Sequence, residues 1–157
     1  METSWQDVLD RFHYGVYLVS IAADGLYNGM IASWVSQCSH EPPMISLAIR
    51  KNRLSHTQIM QTGKFTLNLL PRDAPELVRQ FKIPDWKHKF DGIDHSLSPL
   101  GNPVLAVSPG YLDCMVEKAI DTGDHTLFIG KIVGGAFQAS DEPMTTAQYP
   151  GRYRGDS

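Results

Sequence analysis

The sequence has little of several features that would indicate a class of protein at once. Its 157 residues include only two cysteines, Cys38 and Cys114, which lie far apart in apolar stretches. This usage is typical of reduced, buried cysteines and does not suggest a disulfide framework. The six histidines show no HxH or HExxH spacing, and no CxxC pair accompanies them, so the sequence predicts no metal site.

Long apolar runs and a strong excess of one charge are also missing. No segment approaches the roughly 18 apolar residues of a membrane helix. The polar N-terminus, METSWQDVLDRF, lacks the apolar run of a secretory signal. We therefore expect a cytoplasmic protein that does not enter a membrane. The net charge of −3 argues against nucleic-acid binding, for which the protein would need a basic surface.

What is present suits a single globular domain over residues 1–157. The 42% hydrophobic and 20% charged fractions allow one domain of this length with a substantial core. Strand-like runs dominate, at 15–23, 30–37, 43–50, 64–70, 111–121 and 125–138. Helical spacing is confined to 4–13, 54–62 and 73–81. Strands and helices do not alternate regularly, which favours a closed or partly closed β-barrel over a Rossmann domain.

Three details of this pattern lead to further expectations. The first helix, with Ser4 as its cap, places four apolar side chains on one face that we expect to pack in the core: Trp5, Val8, Leu9 and Phe12. Asp73 is a plausible cap for the third helix. Residues 83–103 are rich in proline and glycine and suggest a long surface excursion, and the tail 141–157 is polar and irregular.

The strand at 30–37 carries small residues where bulky ones would be ordinary. Ala32 and Ser33 stand beside Trp34, whereas a half-buried pleated surface usually carries β-branched side chains. Small side chains would allow a flat, large ligand to lie close to the backbone of this strand. A regular strand also directs Ser33 and Trp34 to opposite faces, so one of them must face away from such a ligand.

Cations and hydroxyls cluster where the strand 43–50 meets the predicted second helix. The cluster consists of Arg50, Lys51, Arg53, Ser55 and Thr57. A helix N-terminus presents free N–H groups and a partial positive charge, which suits a phosphate. A solvated turn capped by Ser55 would explain the same local pattern. Beside the strand of small residues, the cluster favours a mononucleotide with a flat ring and a phosphate.

Two longer runs carry a resemblance to a known family. NGMIASWVSQCSHEPPMISLAIRKNRLSHTQIMQTGKFTLNLL at 28–70 and TGDHTLFIGKIVGG at 122–135 resemble the two signatures of the flavin reductase-like family, the FMN-binding split barrels. The resemblance extends from about Gly15 to Val133 and is greatest for flavoredoxin-type and rubredoxin-associated members. It implies a mainly β fold, a Greek-key split β-barrel with a few short helices. It also implies FMN as cofactor and a homodimer with the flavin close to the dimer interface.

The resemblance also implies where the flavin binds. It places the isoalloxazine ring on the strand at Met30, Ile31, Ala32, Ser33 and Trp34, with Asn28 in the loop before it. It places the phosphate against Arg50, Lys51, Asn52, Ser55, His56 and Thr57. Family members commonly carry Thr where this chain has Ile31, so a side-chain hydrogen bond is lost there while backbone contacts remain.

Two further segments are assigned by the same resemblance. Lys89 and Phe90 match a loop that approaches the ring from the opposite side. His125 is placed near the flavin, where it would contact the nicotinamide donor or the reduced ring. On local pattern alone, a histidine after Asp124 that merely stabilises a turn explains His125 equally well.

The resemblance implies an oxidoreductase that accepts hydride from NADH or NADPH at bound FMN and passes electrons to flavin or to a protein acceptor. Backbone N–H groups fixed in a strand would stabilise the negative charge that hydride transfer places on the N1–C2=O2 edge. The alternative is an electron carrier that holds FMN but receives electrons from a redox protein, a rubredoxin or another flavoprotein. The sequence alone does not distinguish the two.

Overall fold

The computed structural model describes residues 2–149, in which β-strands predominate. The strands are β1 (Tyr17–Ala23), β2 (Leu26–Ala32), β3 (Val35–Ser39), β4 (Met44–Arg50), β5 (Lys64–Leu69), β6 (His95–Leu97), β7 (Pro103–Leu105), β8 (Gly110–Asp121) and β9 (His125–Phe137). The helices are α1 (Glu2–Leu9), α2 (Leu54–Thr62) and α3 (Pro75–Gln80), with a 3₁₀ turn at Trp86–His88. This confirms the predicted mainly β fold with a few short helices.

Seven of these strands form one antiparallel sheet in the order β2-β1-β5-β8-β9-β4-β3, and β6 pairs with β7 separately. The alternation in β4 shows how the sequence builds the sheet. Ile45, Leu47 and Ile49 are buried while the residues between them are partly exposed, as expected for a strand with one face on the core. The strands predicted at 111–121 and 125–138 are present as the antiparallel pair β8 and β9, joined in a hairpin around Thr122–Asp124.

The chain crosses from one edge of the sheet to the other at Ser33 and Trp34. Ala32 ends β2 and pairs with Tyr17 of β1, whereas Val35 begins β3 and pairs with Leu47 of β4. The prediction of one continuous strand over 30–37 is therefore wrong, because its two halves belong to opposite edge strands. We call this two-residue crossing the seam.

The core consists of two apolar clusters on opposite faces of the sheet. One includes Val19, Leu47, Phe65 and Phe128, together with Ile59 of α2. The other joins β1 to α3 and to the end of the described chain, and it contains Leu18, Ile31, Phe81, Phe90, Met144 and Tyr149. Met144 N donates to Leu70 O at 2.8 Å, and Val16 N donates to Met144 O at 2.9 Å. The tail predicted as irregular is thus packed against the sheet at 143–149, and its residues 150–157 lie outside the described part.

Several local predictions are wrong. The apolar face of α1 is exposed, with Trp5 at 56%, Val8 at 59% and Leu9 at 44%, and Phe12 just beyond its end is exposed at 51%. The sheet is already covered by α2, α3 and the tail. Cys38 lies on the edge strand β3 and is exposed, whereas Cys114 is buried as expected. Ala74, not Asp73, precedes α3, which begins with a proline that pre-sets the helical φ. Among residues 2–149, no helix has the length and apolarity needed to cross a membrane.

Candidate functional site

A cavity of about 500 Å³ opens between the start of α2 and the segment that follows α3. Its lining is Asn28, Asn52, Arg53, Leu54, Ser55, Lys82, Ile83, Pro84, Trp86 and Lys89. Three of these residues are cations. A helix leaves its first N–H groups without acceptors inside the helix, and at the start of α2 only His56 N among them has an acceptor outside it within residues 2–149, Arg53 O at 3.1 Å. A helix N-terminus with basic side chains around it suits an anionic group such as a phosphate.

Asn28 is buried in the wall of this cavity and links α2 to β2. Its Nδ2 donates to Gln58 Oε1 at 2.8 Å and to Ser55 Oγ at 3.2 Å. Its Oδ1 is buried, and no donor contacts it within residues 2–149. A buried carbonyl oxygen without a donor is unfavourable by about 1–3 kcal/mol. The wall of the cavity therefore contains a buried acceptor that has no donor among residues 2–149.

Lys89 supplies a buried cation to the same cavity. Its side chain is 7% exposed, and Nζ donates to Gly29 O at 2.8 Å. Burial, reinforced by the charge of Arg53, lowers the pKa of Lys89 from 10.5 to about 8. The neighbouring Phe90 points elsewhere, since its ring packs 5.0 Å from that of Phe81 in the core. Of the predicted pair, only Lys89 reaches the cavity.

A second group of side chains meets at the seam. His125 Nδ1 lies 2.6 Å from Asp124 Oδ1, and its ring lies 4.7 Å from that of Trp34 at 34°. Arg50 Nη2 lies 3.4 Å from the other oxygen of Asp124. The hydrogen bond from His125 lowers the pKa of the Asp124 carboxyl. Arg53 N donates to Arg50 O at 3.1 Å, so a single turn of the chain separates Arg50 of this group from Arg53 of the cavity.

The other residues predicted for the phosphate lie around the cavity in different ways. Asn52 and Ser55 line it. Lys51 instead forms an ion pair with Asp121 at 3.2 Å. His56 Nε2 lies 2.6 Å from Thr126 Oγ1, and its pKa is lowered chiefly by burial and then by Lys51. Thr57 is exposed on α2.

The strand residues predicted for the ring have their side chains turned inward. Met30 and Ala32 are buried in one core cluster, Ile31 is buried in the other, and Ser33 is fully buried. Trp34 is half-buried at the seam. A ligand at the end of β2 would therefore meet backbone atoms and Trp34 more than the other side chains.

Lys82 and Trp86 are not among the predicted site residues, and Arg53 is predicted as one cation of the basic cluster but is not placed against the phosphate by the resemblance. All three line the cavity. Arg53 precedes α2 directly, so its proximity to the helix N-terminus was available as a signal. Lys82 and Trp86 come from the segment after α3, and no short motif in the sequence links that segment to α2.

Comparison with known proteins identifies the family. The chain matches the family described as flavin reductase like domain over residues 9–156. The chain belongs to this family. A high molecular weight rubredoxin from Moorella thermoacetica is 34% identical over 145 residues, and the match covers 90% of this chain. The chain spans 63% of the length of that rubredoxin.

Other relatives are named as reductases. The reductase subunit HsaB of a flavin-dependent monooxygenase from Rhodococcus jostii is 30% identical, with 96% of this chain and 76% of that protein covered. A ferric-chelate reductase (NAD(P)H) from Archaeoglobus fulgidus is 28% identical, with 88% of this chain and 85% of that protein covered. The predictions of the family and of a flavin reductase-like oxidoreductase are therefore confirmed.

Solved structures of the family share the fold. Nitrilotriacetate monooxygenase component B from Mycobacterium thermoresistibile has a TM-score of 0.85 and 26% identity, over 99% of this chain and 93% of that chain. The NADH:FAD oxidoreductase SgcE6 of Streptomyces globisporus, in complex with NAD and FAD fragments, has a TM-score of 0.86 and 23% identity. The match covers 99% of this chain and 94% of that chain. These similarities confirm the split β-barrel architecture for this flavin reductase-like chain.

Proposed function

We propose that this protein binds FMN and reduces it with NADH or NADPH, passing the electrons on to free flavin or to a protein acceptor. The observation that supports this function most directly is the cavity at the start of α2, which brings three cations to a helix N-terminus beside the seam. FMN has a single terminal phosphate, so it needs one anion site of this kind. The adjoining seam offers backbone groups for a flat ring.

The residues of the cavity suit a phosphate and its polar linker. Arg53 and Lys89 supply positive charge, and Ser55 and Asn52 supply polar side chains. The N-terminus of α2 presents the positive end of the helix dipole to the anion. Asn28 Oδ1 is a buried acceptor in the wall of the cavity with no donor among residues 2–149, and its amide would turn toward the cavity to accept from a ligand hydroxyl. This distribution of donors and acceptors fits a flavin mononucleotide.

The two predicted cations Arg50 and Lys51 take a secondary role in this proposal. Each already contacts a carboxylate, Asp124 at 3.4 Å and Asp121 at 3.2 Å respectively. We assign the direct phosphate contacts to Arg53 and Lys89, and leave Arg50 and Lys51, with His56 and Thr57 beside them, as the rim of the site.

Bound flavin supplies the hydride acceptor, and the protein supplies its orientation and a site for the nicotinamide. The backbone from Met30 to Trp34 would hold the ring, because the inward side chains leave main-chain groups to face it. His125 stands at the same end of the barrel, fixed between Trp34 and Asp124. There its imidazole would contact the nicotinamide or the edge of the ring that gains charge.

The experiment that tests the function begins with the colour of the purified protein. We expect a yellow protein that releases FMN on denaturation, and anaerobic bleaching of the bound flavin by NADH or NADPH. A colourless protein that does not bind micromolar FMN would refute flavin binding, and released FAD would refute the choice of FMN. An FMN-loaded protein that neither nucleotide reduces would favour the electron carrier, for which the rubredoxin relative supplies a candidate class of donor.

The phosphate assignment is tested with a matched pair of variants. Arg53→Gln should weaken FMN binding by roughly 10- to 100-fold, the scale of a hydrogen bond between charged groups. Lys51→Gln should weaken it by less than about threefold, because an exposed charge is screened by solvent. Riboflavin, which lacks the phosphate, should bind both variants as it binds the parent. Equal losses for FMN and riboflavin in Arg53→Gln would show that the phosphate lies elsewhere.

We also propose that the protein forms a homodimer. The support is the exposed apolar face of α1, whose side chains are 44–59% accessible in the single chain, an uncommon arrangement for a monomer. Val8→Glu should shift the sedimentation coefficient of the protein toward that of a monomer. Met60→Glu alters an equally exposed apolar residue on α2 and is the control. A parent that sediments as a monomer at micromolar concentration would refute the dimer.

A further inference from the structure

Asp124 joins His125 and Arg50 at the seam end of the site through its carboxylate. Its Oδ1 lies 2.6 Å from Nδ1 of His125, and its Oδ2 lies 3.4 Å from Nη2 of Arg50. The side chain is largely exposed, whereas the histidine side chain beside it is only 7% exposed. An exposed carboxylate thus makes the short polar contact to a buried imidazole.

This contact determines which nitrogen of His125 carries a proton. An ionised carboxylate can only accept hydrogen bonds, so Nδ1 must be the donor in a bond of 2.6 Å. The neutral imidazole is then the Nδ1–H tautomer, and Nε2 is its acceptor nitrogen. In solution the two tautomers of a histidine exchange, so the carboxylate selects one of them.

Both partners of the contact are held in place by their surroundings. Asp124 O accepts from Lys51 N at 2.9 Å, and His125 O accepts from Thr122 Oγ1 at 3.0 Å. These bonds fix the backbone on either side of the pair. The ring of Trp34 packs on the imidazole at 4.7 Å and limits its rotation.

We propose that Asp124 is a positioning residue that fixes the tautomer and the ring orientation of His125 for hydride transfer. Arg50 holds the carboxylate from its other oxygen and so keeps an exposed side chain in one rotamer. The inference rests on the proposed function in one respect, since it assumes that His125 acts on the nicotinamide or the flavin. The tautomer itself is a property of the protein without any ligand.

A different reading of the same contact is that Asp124 only stabilises the turn between β8 and β9. That reading predicts a loss of stability in Asp124→Ala that is independent of His125. The positioning role predicts instead that the two side chains act as one unit, so that removing both costs no more than removing His125 alone.

The first measurement uses the protein without flavin. Long-range ¹H–¹⁵N spectra of the imidazoles, at a pH where His125 is neutral, should show the Nδ1–H tautomer in the parent. Asp124→Ala should shift His125 toward the Nε2–H form. Asp124→Asn should retain the parental tautomer, because the amide oxygen still accepts from Nδ1. An unchanged tautomer in Asp124→Ala would overturn the proposal.

The second measurement is the anaerobic rate of flavin reduction at saturating NADH or NADPH. Asp124→Ala should lower this rate by about tenfold while the affinity for FMN stays the same. The double variant Asp124→Ala/His125→Ala should be no slower than His125→Ala, and Asp124→Asn should recover most of the rate. Asp121→Ala removes a carboxylate from the other side of the same turn and should leave the rate unchanged.

The outcomes separate this inference from the proposed function. Additive losses in the double variant, or the same loss in Asp121→Ala, would overturn the positioning role. A parent that binds FMN but is reduced by neither nucleotide would refute the reductase, and with it a role for Asp124 in hydride transfer. The imidazole spectra would still decide in that case whether Asp124 fixes the tautomer of His125.

Discussion

Replacing Lys89 by methionine should weaken FMN binding without destabilising the flavin-free protein. The shift of the Lys89 pKa from 10.5 to about 8 means that the folded environment disfavours the ammonium by roughly 3 kcal/mol. Because the folded pKa lies below the unfolded one, this penalty is complete below about pH 8 and disappears as the pH rises toward 10.5. Methionine keeps most of the apolar stem and removes the charge.

The gain is partly offset by the bond that Lys89 makes to β2. Nζ donates to Gly29 O at 2.8 Å, and a buried carbonyl that loses its donor costs about 1–3 kcal/mol. At pH 7 the free energy of unfolding of Lys89→Met without flavin should therefore equal that of the parent or exceed it by up to about 2 kcal/mol. FMN binding should weaken by roughly 1.5–3 kcal/mol, the value of a hydrogen bond to a charged group.

Urea denaturation of the flavin-free protein and fluorescence titration with FMN measure the two effects separately. Riboflavin should bind the variant and the parent alike. Lys87→Met, which removes an exposed lysine from the adjacent 3₁₀ turn, controls for the change of net charge. A flavin-free variant destabilised by more than about 2 kcal/mol would refute the derived desolvation penalty. Equal losses for FMN and riboflavin would refute contact between Lys89 and the phosphate.

Two further predictions follow from the pKa of Lys89 and from the packing inside the barrel. FMN affinity should fall by at most about tenfold per pH unit as the pH rises above about 8, where Lys89 loses its proton. Riboflavin affinity should stay constant over the same range. An FMN affinity that is constant up to about pH 10 would contradict this prediction. Gly130→Ala should destabilise the protein by about 1–3 kcal/mol in urea denaturation, because its Cβ would lie 2.9 Å from the Phe65 ring. Gly134→Ala is the control, since its Cβ would meet nothing closer than 3.9 Å; equal effects of the two would show that the barrel adjusts freely.

Sequence reasoning succeeded where the determining interactions are local. The helix over 54–62 is found with the predicted bounds, since Gly63 ends it in the left-handed region at φ 70° and donates to Ile59 O at 2.8 Å. The β8–β9 hairpin is likewise specified by alternation and by a short turn. Such elements depend on contacts between residues that are near each other in the chain, and a single sequence displays these directly.

Sequence reasoning failed where the partner of a residue lies far away in the chain. The apolar spacing in α1 correctly indicated a helix but could not indicate that its face stays exposed in one chain. The small residues at Ala32 and Ser33 were interpreted as part of one strand, although the crossing there depends on which strands pair with each half. Lys82 and Trp86 joined the cavity only through the folding of α3 against β1. Amphipathicity shows that a surface is suited to burial but does not identify what covers it.

The seam also limits how the protein can respond when a ligand arrives. Only Ser33 and Trp34 separate the two edge strands, and three peptide units span at most about 11 Å between the Cα atoms of Ala32 and Val35. The barrel cannot open beyond that separation at this end without breaking pairs in β2 or β3. Association with FMN should therefore need no slow opening step, and stopped-flow traces should show one phase whose rate rises linearly with FMN concentration. A rate that reaches a plateau would reveal an isomerisation that this short covalent link does not accommodate.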